Sequence, residues 1–290
     1  MSQLFDSAFF AKLNNLKLAA HLRLDQGQSG ARKSSAKGAS VEFSDFREYL
    51  PGDDIRRIDW NAYGRLDRLY IKQFMEEKEA TYHIFIDNSA SMDFGEPRKS
   101  HMALQLAACF AWIVGRQLDR AEVASFHQGR VDKLSPVTGK NGFLRLLTEL
   151  EQLSFTGTTG ISEAVRRYPI QGKGICIILS DFLDPAGIDE AIRYLMFKQQ
   201  EVYLFQILSP EELDFTGEGT LSITDMETGQ EVRVAMTRET LAIYQNKLKE
   251  WQNSLEVLAK RYGCRFLSIS SGDDLEKVIF ETMHRIGLFT

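Results

Sequence analysis

"YHIFIDNSASMDFG", residues 82 to 95, points to the architecture: a continuous apolar run ends in a polar loop with Asp87, Ser89 and Ser91 at alternate positions. A strand with no polar face is buried on both sides, as in a parallel sheet covered by helices. The loop that follows admits three readings: a polar turn, the nucleophile loop of an enzyme, or part of a metal site.

Downstream, apolar strands alternate with helical patterns. "RKSHMALQLAACFAWIVGRQL" predicts a helix, "AEVASF" and "GRVDKL" a hairpin, and "GKNGFLRLLTELEQL" a helix. Then come the turn "SFTGTTG", the helix "ISEAVRRY", the strand "GICIILS", the helix "AGIDEAIRYLMFKQQ" and the strand "EVYLFQIL". This alternation predicts an α/β fold with a doubly wound, mostly parallel sheet. Between 209 and 236 it breaks into two β-type runs around "DMETGQ", expected as a hairpin at the sheet edge. A helix from Thr237 to Tyr262, the strand "CRFLSIS" and the helix "DDLEKVIFETMHRIG" close the domain.

Upstream, Phe9, Leu13, Leu16 and Ala20 recur at helical spacing, so residues 6 to 23 predict an amphipathic helix. "DQGQSGARKSSAKGAS" then reads as a basic, flexible loop. Residues 41 to 79 are dense in aromatics and in charges of both signs: Pro51-Gly52 predicts a tight turn, and "IRRIDW" and "LYIKQF" short strands. The expected organisation is an extension over 1–79, β-rich in its second half, and an α/β domain over 80–290.

The chain has 290 residues, 43% hydrophobic and 26% charged, with a net charge of -5 and a pI near 5.7. This suits a soluble globular protein and argues against nucleic acid as its partner. Cys109, Cys176 and Cys264 are widely spaced among apolar neighbours, so they predict core thiols in a reducing compartment. The longest apolar runs, such as "LAACFAWIV", fall short of the roughly 20 residues that span a bilayer. The start has no secretory pattern. The expectation is a cytoplasmic protein without direct membrane insertion.

Ligands in an open parallel sheet bind beyond the carboxyl ends of the strands. The residues there are Asp87, Ser89 and Ser91 after the first strand, Ser180, Asp181 and Asp184 after "GICIIL", and Thr156, Thr158 and Thr159 in the Gly-rich turn. An oxygen-rich set without histidine or cysteine favours a hard cation such as Mg²⁺. A cation held mainly by neutral hydroxyls keeps an open position that suits a carboxylate from outside.

The Asp-x-Ser-x-Ser loop, the threonine in a Gly-rich turn and the aspartate ending a later strand resemble the metal-ion-dependent adhesion site of von Willebrand factor A domains. Thr159 is matched because "TGISEA" resembles the family's Thr-x-Leu/Ile-x-x-Ala run, with Thr158 as runner-up. Asp181 matches the last position, although Ser180 and Phe182 depart from the family's Thr-Asp-Gly. The resemblance implies that Ser89, Ser91 and Thr159 bind Mg²⁺, or Mn²⁺, through hydroxyls, while Asp87 and Asp181 act through water.

"VEFSDFREYLPGDDIRRIDWNAYGRLDRLYIKQFMEEKE", with "DNSASM", "DMETGQEV" and the C-terminal helix, is similar to the bacterial domain of unknown function 58. That likeness implies a partner of AAA+ ATPases of the MoxR type, and a non-catalytic protein-binding module rather than an enzyme. The enzyme alternative is a metal-dependent phosphatase of the haloacid dehalogenase kind, with Asp87 as nucleophile. Its loop supplies a second aspartate two residues on as general acid, where this chain has Ser89, whose hydroxyl does not serve at neutral pH. The other alternative is an interaction domain with an inactive metal site. "SGDD" at 271 to 274 imitates a later acidic motif of such phosphatases, and equally reads as a helix cap.

Overall fold

The computed structural model describes residues 9, 13, 16, 41–76, 81–117, 119–137, 139–184, 187–215, 219–227, 229–284 and 288. The chain divides into two compact units, Leu24–Glu79 and Met1–Arg23 with Ala80–Thr290. This differs from an extension running over 1–79. Leu13 is buried in the core of the larger unit, with Phe9 and Leu16 packed against it. Apolar side chains with no sheet of their own to cover are buried best against an existing core, which is where these three sit. The basic loop lies outside the described residues.

In the smaller unit, β1 (Val41–Glu48) and β2 (Tyr70–Glu76) pair antiparallel. Pro51-Gly52 forms the expected turn, closed by Asp53 N–H to Leu50 O at 3.0 Å. "IRRIDW" is not a strand. Asp54 caps a 3-10 turn at Ile55–Arg57, and Asp59 caps the helix Trp60–Leu66 by accepting from Asn61 N–H and Ala62 N–H at 2.9 and 3.2 Å. An aspartate that satisfies the free N–H groups of a first turn outweighs a short alternating pattern. The dense charge ties irregular backbone: Arg47 reaches Asp53 at 2.9 Å, and Asp53 also accepts from Leu50 N–H at 2.8 Å.

The larger unit holds a six-stranded sheet of β3 (Thr81–Asp87), β4 (Arg120–His127), β5 (Arg130–Lys133), β6 (Gly174–Ser180), β7 (Gln200–Leu208) and β10 (Arg265–Ser270). Its order is β10-β7-β6-β3-β4-β5, parallel throughout except for the antiparallel edge strand β5. The strands alternate between two cores. Tyr82, Ile84, Ile86, Ile175, Ile177 and Leu179 face the helices Lys99–Arg116 and Gly139–Glu151. Phe85, Cys176, Ile178, Val202 and Leu204 face Ile161–Arg167, Asp189–Phe197 and Arg238–Tyr262. Helices on both faces of a parallel sheet make this the expected doubly wound α/β fold. All three cysteines are free and buried.

The hairpin of β8 (Gly219–Thr224) and β9 (Glu231–Met236) forms a two-stranded sheet of its own and does not extend the main sheet. Gly229 takes the left-handed φ of 72° that its turn requires. Among the described residues no helix is long and apolar enough to cross a membrane.

Candidate functional site

β3 lies mid-sheet, between β4, which follows it in the chain, and β6, which returns on its other side. Strand order reverses there, so the loops after β3 and β6 open into one crevice. The Gly-rich turn is knitted into the same place by backbone: Ala90 N–H donates to Gly157 O at 2.9 Å, Thr156 N–H to Asn88 O at 2.9 Å, and Gln128 N–H to Thr158 O at 2.7 Å. Gly160 allows this approach. Its φ is 132°, and a Cβ there would stand 2.6 Å from the Gly129 nitrogen.

Asp87 is fully buried, with both carboxylate oxygens engaged. Oδ1 accepts from Ser89 N–H at 3.0 Å; Oδ2 accepts from the hydroxyls of Thr159 at 3.0 Å and Ser180 at 2.6 Å. Burial, helped by the charge of Asp181, pushes its pKa up to about 7 against the pull of the Ser180 and Ser89 hydrogen bonds. A carboxylate wrapped only in neutral donors is short of positive charge. The Ser89 and Ser91 hydroxyl oxygens stand 3.1 Å apart. Neighbouring oxygens of an octahedral Mg²⁺ shell at about 2.1 Å are spaced by roughly 3.0 Å, so this pair fits two adjacent positions. Thr159 is buried and aimed at Asp87, whereas Thr156 and Thr158 are exposed.

Asp181 is equally buried. Its Oδ1 accepts from Leu183 N–H at 3.0 Å, and its Oδ2 pairs with Lys99 Nζ at 2.8 Å. Lys99 opens the helix Lys99–Arg116, is itself buried, and also reaches Glu212 Oε1 at 2.7 Å. Burial pulls the Lys99 pKa down, but the two carboxylates outweigh it and the net shift is upward. Phe182 adopts φ of 60°, the left-handed region, which explains why glycine suits the residue after this aspartate. Asp184, the remaining acid after β6, accepts from Ile161 N–H at 3.1 Å and so caps a helix whose first residue follows a glycine.

Among the described residues no three of His, Cys, Asp and Glu are grouped to hold an ion between them. A cation bound here would have to be held by hydroxyls, with the carboxylates further out. Three participants escaped the sequence reading: Lys99, Glu212 and Glu227, whose Oε1 accepts from Thr159 N–H at 3.2 Å. Lys99 lies in a segment read only as a helix start and Glu227 in a turn, while Glu212 falls in the stretch where the strand–helix alternation breaks. Asp274 accepts from Lys277 N–H at 2.9 Å, so "SGDD" is a helix cap.

Residues 45–254 match the family described as Protein of unknown function DUF58, well over half of the chain. An uncharacterized protein of Mycobacterium tuberculosis is 26% identical over 231 residues, 77% of this chain and 73% of its own length. The crystal structure of the conserved hypothetical protein BatB from Bacteroides thetaiotaomicron matches at 16% identity and a TM-score of 0.44, over 72% of this chain and 98% of that one. The VWA domain of SpRpn10 matches at 11% identity and a TM-score of 0.38, over 68% of this chain and 92% of that one.

Proposed function

The chain belongs to the DUF58 family, and we propose that it is a non-catalytic, metal-dependent protein-binding module, a partner of a MoxR-type AAA+ ATPase in the assembly or remodelling of other proteins. The observation that supports this most is Asp87, a buried carboxylate that among the described residues is bonded only by neutral donors, beside two serine hydroxyls at the spacing of adjacent Mg²⁺ ligands. Ser89, Ser91 and Thr159 would hold Mg²⁺ (or Mn²⁺), with Asp87 and Asp181 supporting it through water. When bound, the ion supplies an open position for an acidic side chain of the partner.

The chain's own residues prepare that event. Thr159 and Ser180 orient Asp87 through its Oδ2. Lys99 holds Asp181 in place through a charge-assisted hydrogen bond. Such a contact to a partner's carboxylate is worth about 1.5–3 kcal/mol, so the surrounding surface must set specificity. The buried, fully engaged Asp87 carboxylate is poorly placed for nucleophilic attack.

Calorimetric titration of Mg²⁺ and Mn²⁺ into the wild type and Ser89→Ala tests the metal reading. Loss of binding in the variant is the expected result, and equal binding sinks it. Recovery of a MoxR-type ATPase in a pull-down should fall with chelator and with Asp181→Ala; recovery indifferent to both removes the metal-bridged mechanism.

A further inference from the structure

The β8–β9 hairpin brings a carboxylate onto the site from within the chain. Its turn is self-held: Asp225 N–H donates to Gln230 O and Gly229 N–H to Asp225 O, both at 2.8 Å. Glu227 N–H donates to the Asp225 carboxylate at 2.8 Å, which fixes the backbone from which the Glu227 side chain leaves. That side chain then accepts from Thr159 N–H at 3.2 Å and lies beside Ser91. Ser91 and Thr159 come from separate loops and share the candidate cation site.

We propose that Glu227 is the site's internal acidic occupant: its carboxylate sits on the Ser91 and Thr159 side, where a partner's acidic side chain binds, and the partner displaces the hairpin tip. This rests on the metal reading given above. The hairpin suits displacement because it is outside the main sheet and Ile223, Met226 and Val232 on it are exposed.

The test uses the full chain, Mn²⁺, and a fluorescein-labelled polyglutamate peptide as the acidic probe. At saturating Mn²⁺, Glu227→Gln and Glu227→Ala should each bind the peptide roughly tenfold more tightly than the wild type, the gain expected if the internal carboxylate occupies the site about nine-tenths of the time. Ser89→Ala should abolish the Mn²⁺-dependent binding in either background. Unchanged or weaker peptide binding in both Glu227 variants, with Mn²⁺ still bound through Ser89, overturns the proposal and leaves the metal reading standing. Mn²⁺ binding that is absent from the wild type or indifferent to Ser89→Ala overturns both.

Discussion

Lys99→Met tests whether the crevice depends on a buried ion pair. The substitution keeps most of the side-chain volume and removes the ammonium that stands 2.8 Å from Asp181 Oδ2 and 2.7 Å from Glu212 Oε1. Lys99 is 1% exposed, Asp181 0% and Glu212 16%, so Asp181 has no water to replace the lost charge. Removing one partner of a buried pair costs about 3–5 kcal/mol, because the other charge is left uncompensated. At roughly 2–4 °C for each kcal/mol in a domain of this size, the melting temperature should fall by about 6–20 °C. Urea and thermal unfolding of the wild type, Lys99→Met, Asp181→Asn and the double variant close the cycle. Asp181→Asn should rescue a good part of the loss in Lys99→Met. A loss under about 1 kcal/mol, or a double variant no more stable than Lys99→Met, removes the ion pair as a support of the crevice.

Two further outcomes follow from groups outside the cation site. His83 is buried, its Nδ1 is 3.4 Å from Glu122 Oε2 without hydrogen-bond geometry, and Tyr168, Lys133 and Arg120 also face it. Burial holds its pKa below the ordinary 6.5, only partly opposed by Glu122, so the unfolded chain takes up a proton first as pH falls. Its stability contribution is therefore full above about 6.5 and lost as pH drops through the folded pKa. His83→Phe should flatten the decline in urea midpoint between pH 7.5 and 5.5, and an unchanged decline removes His83 as its source. Asp184→Ala should cost about 1 kcal/mol in urea unfolding through the lost cap on Ile161 while leaving Mn²⁺ affinity as it was. A lost Mn²⁺ site would make Asp184 part of the binding machinery.

The sheet was legible from residue order alone, because the two-residue period of a strand and the longer period of a helix are written into neighbouring residues. Tyr82, Ile84 and Ile86 face one core and Phe85 the other, as their alternation requires. The same locality made Asp87, Ser89 and Ser91 legible as a convergent set, and it misread "IRRIDW", where Asp54 and Asp59 cap helical turns. Folding in three dimensions was needed to aim Thr159 at Asp87 and leave Thr158 exposed, since exposure and aim depend on how the Gly-rich turn docks against β3. It alone paired Lys99 with Asp181 and Glu212, 82 and 113 residues away, and brought Glu227 to Thr159 across 68. Contacts over such separations are set by the crossovers of the sheet and by the reach of one hairpin. No local pattern of charge or hydrophobicity carries that information.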